Sequence, residues 1–145
     1  MTKELILNMI YCFIATCFFA LIMSSPKKVV PISSFIASIG YMIYFICVSS
    51  NQTMIGFFLG TLIIALFGEI CARLFKMPAT IFIFPAVVPI VPGLGLYQTM
   101  LAFVQDDISG ALEIGVETLL NIGAMAIAMA LMSLLASKLP IRYKH

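Results

Sequence analysis

Charge is what this sequence has least of. Only 10% of its 145 residues are Asp, Glu, Lys or Arg, against roughly 25% in an ordinary soluble domain. A chain so poor in charge cannot keep a globular surface wet, and 63% of it is apolar, with a mean hydropathy of +1.16. A water-soluble catalytic domain, a secreted disulfide scaffold and a DNA-binding module are excluded together, the last because the net charge is only +2. Histidine is almost absent: the single residue is His145, at the tail. Cys12, Cys17, Cys47 and Cys71 lie in apolar stretches and form no Cys-x-x-Cys. No metal site or redox pair is legible, and the cysteines read as small apolar residues.

The apolar residues come in long runs. Residues 29–68 and 77–105 carry no charge, and a helix needs about 20 apolar residues to cross the hydrocarbon core. The expected fold is an all-α integral membrane protein, one transmembrane domain over 1–145, with five spans at about 5–23, 31–48, 54–75, 79–104 and 115–137. The run Leu5–Met23 is long for the apolar core of a signal peptide and is followed by Ser24-Ser25-Pro26-Lys27-Lys28 without an Ala-x-Ala-like site. It reads as a retained first span.

Orientation follows from the basic residues, which are enriched in cytoplasmic loops. If all five segments cross, one side holds Lys27, Lys28, Arg73, Lys76, Lys138, Arg142 and Lys144, and the other holds only Lys3. If the fourth segment dips in and returns, the basic residues divide evenly. The asymmetric arrangement is the expected one: five spans, N-terminus outside, C-terminus cytoplasmic.

Pro85, Pro89 and Pro92 interrupt the fourth segment and are followed by Gly93 and Gly95. Each proline removes a backbone donor and clashes one turn back, so the helix should break near 89–93, close to the bilayer midplane. Unpaired backbone at that depth persists only where protein buries it or water reaches it. In transporters such breaks form the substrate site, and the half-helix starting near Gly93 would offer bare N–H groups to a carboxylate. A kink packed against its neighbours is the alternative.

Glu69-x-x-Ala72-Arg73, then Met77-Pro78-Ala79-Thr80-Ile81-Phe82, then Pro89-Ile90-Val91-Pro92-Gly93-x-x-x-Tyr97 resembles the bacterial threonine/serine exporter family. More closely it is similar to that family's small membrane subunit, the type that includes the small subunit of the succinate exporter. The resemblance covers Glu69 to about Met100 best and is general in the outer spans. It implies export of small polar metabolites, amino acids or dicarboxylates, across the bacterial inner membrane, and a larger partner subunit of the same family.

The expected substrate-binding residues are Pro89, Pro92, Gly93, Gly95, Tyr97 and Asn121. Glu69 and Arg73, four residues apart in the favourable acid-before-base order, read either as a gate or as an ion pair anchoring the helix end. Glu113 and Glu117 fall on one face with Asn121. Thr118–Ser137 already supplies an uncharged span, which leaves both glutamates at the outer interface; a span beginning near Glu113 would instead put Glu117 in the lipid, where it could carry protons. Gly56-x-x-x-Gly60, and Gly123, Ala124, Ala126, Ala128 and Ala130, read as close-packing surfaces. No span carries a histidine or a carboxylate pair suited to acid–base work, so neither an enzyme nor a cofactor is expected. A structural or assembly subunit, or a channel, are the competing functions.

Overall fold

Six α-helices make up most of residues 2–138, the part of the chain that the computed structural model describes. They are α1 Thr2–Ile22, α2 Val30–Ser49, α3 Thr53–Phe75, α4 Thr80–Val87, α5 Gly93–Val104 and α6 Ile108–Lys138, with a 3-10 turn, Val88–Ile90, after α4. No strand occurs among the described residues. Helices α1, α2, α3 and α6 are each long and apolar enough to cross a membrane. Taken together, α4, the turn and α5 pass the same test, bent by 55°, which makes four candidate spans or five. Arg142 and Lys144, which weighed in the expected orientation, lie outside the described residues.

Four of the helices end in the same way, and none uses glycine. Ser24, Asn51, Lys76 and Asp106 each turn left-handed, at φ of 56°, 61°, 53° and 59°. The next N–H then reaches back to the carbonyl five residues earlier: Ser25 to Ala20, Gln52 to Cys47, Met77 to Ala72 and Asp107 to Ala102, at 2.9–3.0 Å. This closes the last turn and satisfies carbonyls that the helix leaves orphaned.

Helix α6 starts earlier than the expected 115, because Asp107 caps it. Its Oδ1 accepts the Gly110 N–H at 3.0 Å and the Ser109 hydroxyl at 2.9 Å. The Gly110 N–H, and then the Ser109 hydroxyl, hold this carboxyl below its ordinary value. The 31 residues of α6 extend about 46 Å, well beyond a hydrocarbon core of about 30 Å.

Helices α2 and α3 form an antiparallel hairpin packed backbone to backbone. A β-carbon on Gly60 would stand 3.0 Å from the Gly40 carbonyl, and one on Gly56 would stand 3.1 Å from the Tyr44 carbonyl. The Gly-x-x-x-Gly surface of α3 is therefore the face that meets α2. Helix α3 lies between α2 and α6, and α1 covers α2 and the start of the bent segment. The core gathers Cys12, Ile36, Ala37, Phe57, Ile64, Ala86, Val87, Ile90 and Met125. Many large apolar side chains point outward instead, among them Phe18, Phe35, Leu94, Met100 and Leu134, as lipid-facing side chains do. On α6 only Ala124 and Ala128 of the expected small-residue surface are buried; Ala126 and Ala130 are exposed. A spacing of two residues turns a helical position to the opposite side, so the four cannot share one face.

Candidate functional site

The bent segment is built by its prolines. Pro85 is accommodated inside α4, but Pro89 has no N–H to continue the ladder, and the chain tightens into the 3-10 turn. Val91, preceding Pro92, is forced extended, at φ −54° and ψ 130°. Pro92 then sits at φ −75° and ψ 61°, and the Gly93 N–H donates to the Val91 carbonyl at 2.7 Å. Those angles and that bond define an inverse γ-turn centred on Pro92. Helix α5 begins immediately, with the Leu96 N–H donating to the Pro92 carbonyl at 3.2 Å. The N–H groups of Leu94 and Gly95 lie in the first turn, where a helix supplies no acceptor. Outside its chain neighbours and its own helix backbone, nothing comes within 4 Å of the place a β-carbon on Gly93 would take, and Gly93 is exposed, so this side of the break opens outward.

Four other elements converge on the break. From α3, a β-carbon on Gly60 would be 3.4 Å from Ile90 Cδ1. From α6, Thr118 packs against Gly95, and Thr99 of α5 packs against Gly115. Asn121 lies one turn beyond Thr118 on α6, toward the level of the break. Asn121 is buried, 7% exposed. On the far side, Asn8, Tyr11 and Cys12 of α1, with Tyr41 of α2 and Pro89, line a cavity of about 210 Å³.

A larger cavity of about 530 Å³ opens at the α3–α4 corner, lined by Glu69, Ala72, Arg73 and Lys76 of α3 and its end, Pro78 and Ala79 ahead of α4, and Ser133, Ala136 and Ser137 of α6. The Arg73 guanidinium donates to the Ala136 carbonyl. It ties α3 to α6 at this depth, and no ion pair joins it to Glu69 among the described residues. Arg73 and Lys76 outnumber the one carboxylate here.

The expected site residues thus separate. Pro89, Pro92 and Gly93 lie at the break, Pro89 on its α1–α2 side, while Asn121 is buried on α6 one turn beyond Thr118. Gly95 is beside it but gives its missing side chain to helix packing. Tyr97 is 63% exposed on the other face of α5, away from α6. Glu69 and Arg73 share the rim of the corner cavity, about 14 and 20 Å along α3 from the break, by the rise of a helix. Glu113 and Glu117 are exposed near the start of α6. Sequence reasoning missed Thr61, which is fully buried beside Gly60 and whose hydroxyl has no hydrogen-bond partner. Its only signal in the sequence is a lone hydroxyl deep in an apolar run.

The architecture is that of a multi-pass helical membrane protein with an interrupted helix against its core. The chain matches the family described as "Threonine/Serine exporter, ThrE" over residues 8–135. It belongs to that family. No curated protein and no solved structure matches it.

Proposed function

We propose that the chain is the small membrane subunit of a secondary transporter that exports small polar metabolites, threonine- or serine-type amino acids or dicarboxylates such as succinate, across the bacterial inner membrane. Substrate binds at the break between the 3-10 turn and α5, at Pro89, Pro92 and Gly93, with Asn121 reaching it from α6. The observation that carries this reading is the open space beside Gly93, next to N–H groups that the helix leaves without acceptors. In a bilayer such groups call for water or a ligand, and a carboxylate suits the start of a half-helix.

The bent segment is then one span, the fourth of five. α4 runs antiparallel to α3, α5 runs antiparallel to α6, and the 55° bend keeps both halves moving the same way. The N-terminus lies outside and the C-terminus in the cytoplasm, so the corner cavity with Arg73 and Lys76 is the cytoplasmic vestibule that collects anionic or zwitterionic substrate. An odd number of spans fits a larger partner subunit of opposite orientation, with substrate between the two halves. The exposed apolar side chains of α5 and of the first turns of α6, including Leu94, Val104, Ile108 and Leu119, are available to that partner.

The experiment is efflux of labelled serine, threonine and succinate from loaded cells that express this chain with its larger partner. Efflux above that of cells lacking this chain, for at least one of the three, is the expected result. Reporter fusions at both termini test the orientation; finding both ends on one side would restore a returning fourth segment.

A further inference from the structure

The hydroxyl of Thr61 is the only buried side-chain polar atom without a hydrogen-bond partner among the described residues. Its behaviour differs from that of every other buried hydroxyl residue. Thr16, Ser33, Ser34, Ser38 and Thr118 each return a bond of 2.7–3.0 Å to the carbonyl four residues back. A helical threonine reaches that carbonyl by choice of rotamer, so the same bond, to Phe57, is one rotation away. An orphaned buried hydroxyl costs about 1–3 kcal/mol.

Helix periodicity gives the direction of this group. Thr61, Ala65, Gly68 and Ala72 recur at i, i+4, i+7 and i+11 and form one buried face of α3. Gly68 abuts Ile83 of α4. Ala72 packs with Phe82 of α4 and also lines the corner cavity with Ser133 and Ala136 of α6. The face therefore looks into the seam between α4 and α6. Those two helices stay apart: no Cα of one lies within 8 Å of a Cα of the other. The seam has a floor of small side chains; Met125 of α6 joins the core cluster of Ala86, Val87 and Ile90 beside it, and the seam's last charge before the break is Glu69, about 6 Å above Arg73.

Asn121 lies on the buried face of α6 with Ala124, Met125 and Ala128. The Arg73–Ala136 bond ties the two parallel helices together at this end. Thr61 lies about 18 Å up α3 from Arg73, and Asn121 lies about 22 Å up α6 from Ala136, at 1.5 Å per residue. The two are within about one turn of each other, at the level where Ile90 meets Gly60.

We infer that the seam between α4 and α6 is the substrate path from the corner cavity to the break, and that Thr61 Oγ1, with the Asn121 amide, binds an uncharged polar group of the passing metabolite there, a hydroxyl in particular. This rests on the exporter reading. Arg73 and Lys76 meet the substrate's charge at the mouth; Thr61 and Asn121 meet its neutral donor and acceptor at depth, where a second fixed charge would hold it too long.

The test is cysteine accessibility in native membranes, with Cys12, Cys17, Cys47 and Cys71 replaced by alanine and the larger partner present. Only a thiol that meets water ionises and reacts with a membrane-impermeant methanethiosulfonate. Thr61→Cys, Ala65→Cys and Ala72→Cys are expected to react, with Ile63→Cys and Ile70→Cys on the opposite face inert. Seam positions that react no faster than Ile63→Cys and Ile70→Cys would overturn the path, while efflux by the unaltered chain would leave the exporter reading standing. The second arm is Thr61→Val against Thr61→Ser. Valine is expected to raise the apparent KM for serine about tenfold, with serine at 61 close to wild type. Removing an orphaned hydroxyl should leave the solubilised valine variant at least as heat-resistant as wild type. A valine variant that transports like wild type would overturn the assignment of Thr61.

Discussion

Gly95 rests directly against the hydroxyl of Thr118, with no room for a β-carbon between them. This contact fixes the start of α5, and hence the far lip of the break, onto α6. The other close point of the hairpin is a little looser: a β-carbon on Gly115 would stand 3.1 Å from Thr99 Cγ2.

The contact predicts that Gly95→Ala forces the hairpin apart at a cost of about 1–3 kcal/mol, the usual range for overpacking. Thr118→Ala removes both of the nearest obstructing atoms and leaves only the Thr118 Cβ, at 3.4 Å from the new methyl. The double variant should therefore recover most of the loss. Thermal unfolding of the four proteins in detergent gives the coupling, expected at roughly 0.5–3 kcal/mol. Strict additivity would show that α5 is not held by this pair.

Two glycines with opposite surroundings make a second comparison. Gly60 faces backbone, the Gly40 carbonyl, at 3.0 Å, whereas nothing lies within 4 Å of a β-carbon on Gly123. Gly60→Ala should destabilise by about 1–3 kcal/mol because a carbonyl in a hairpin cannot move aside. Gly123→Ala should be neutral, or stabilise by up to about 1 kcal/mol through helix propensity. Melting temperatures in one detergent check both, and the reverse ranking would contradict the packing described for α2 and α3.

Arg73 holds the Ala136 carbonyl while lining the corner cavity. Lysine keeps the charge but loses the planar fork that binds a carboxylate through two bonds. Arg73→Lys should weaken apparent substrate affinity about tenfold, and Arg73→Gln more, at equal membrane abundance. Efflux titrated against internal substrate reads this. An unchanged apparent KM in both variants would reduce Arg73 to a tie between α3 and α6.

The spans were legible because charge-free runs of the right length leave few other structures possible in lipid, and Pro89-Ile90-Val91-Pro92-Gly93 announced a break by removing donors and demanding an extended Val91. The start of α6 was not legible, since Asp106-Asp107 looks like a polar loop until the Gly110 N–H is seen on Asp107. Glu69 and Arg73 have ion-pair spacing, yet the guanidinium reaches a neighbouring helix instead. Tyr97 belongs to the motif by spacing, but a helix that restarts at Gly93 turns it away from α6. Thr61 stayed hidden for a deeper reason: whether a hydroxyl is satisfied depends on its rotamer and on the neighbouring helices, and neither is written in its local sequence.

The central claim is that substrate passes the break beside Gly93, and the open space there makes a direct test. A β-carbon at 93 would meet nothing within 4 Å and the position is exposed, so Gly93→Leu should insert and fold like wild type. The decisive measurement is efflux of labelled substrate from cells matched for membrane abundance of this chain and its partner. Efflux at the level of cells lacking this chain is the result the account predicts for Gly93→Leu; efflux at the wild-type rate would contradict it.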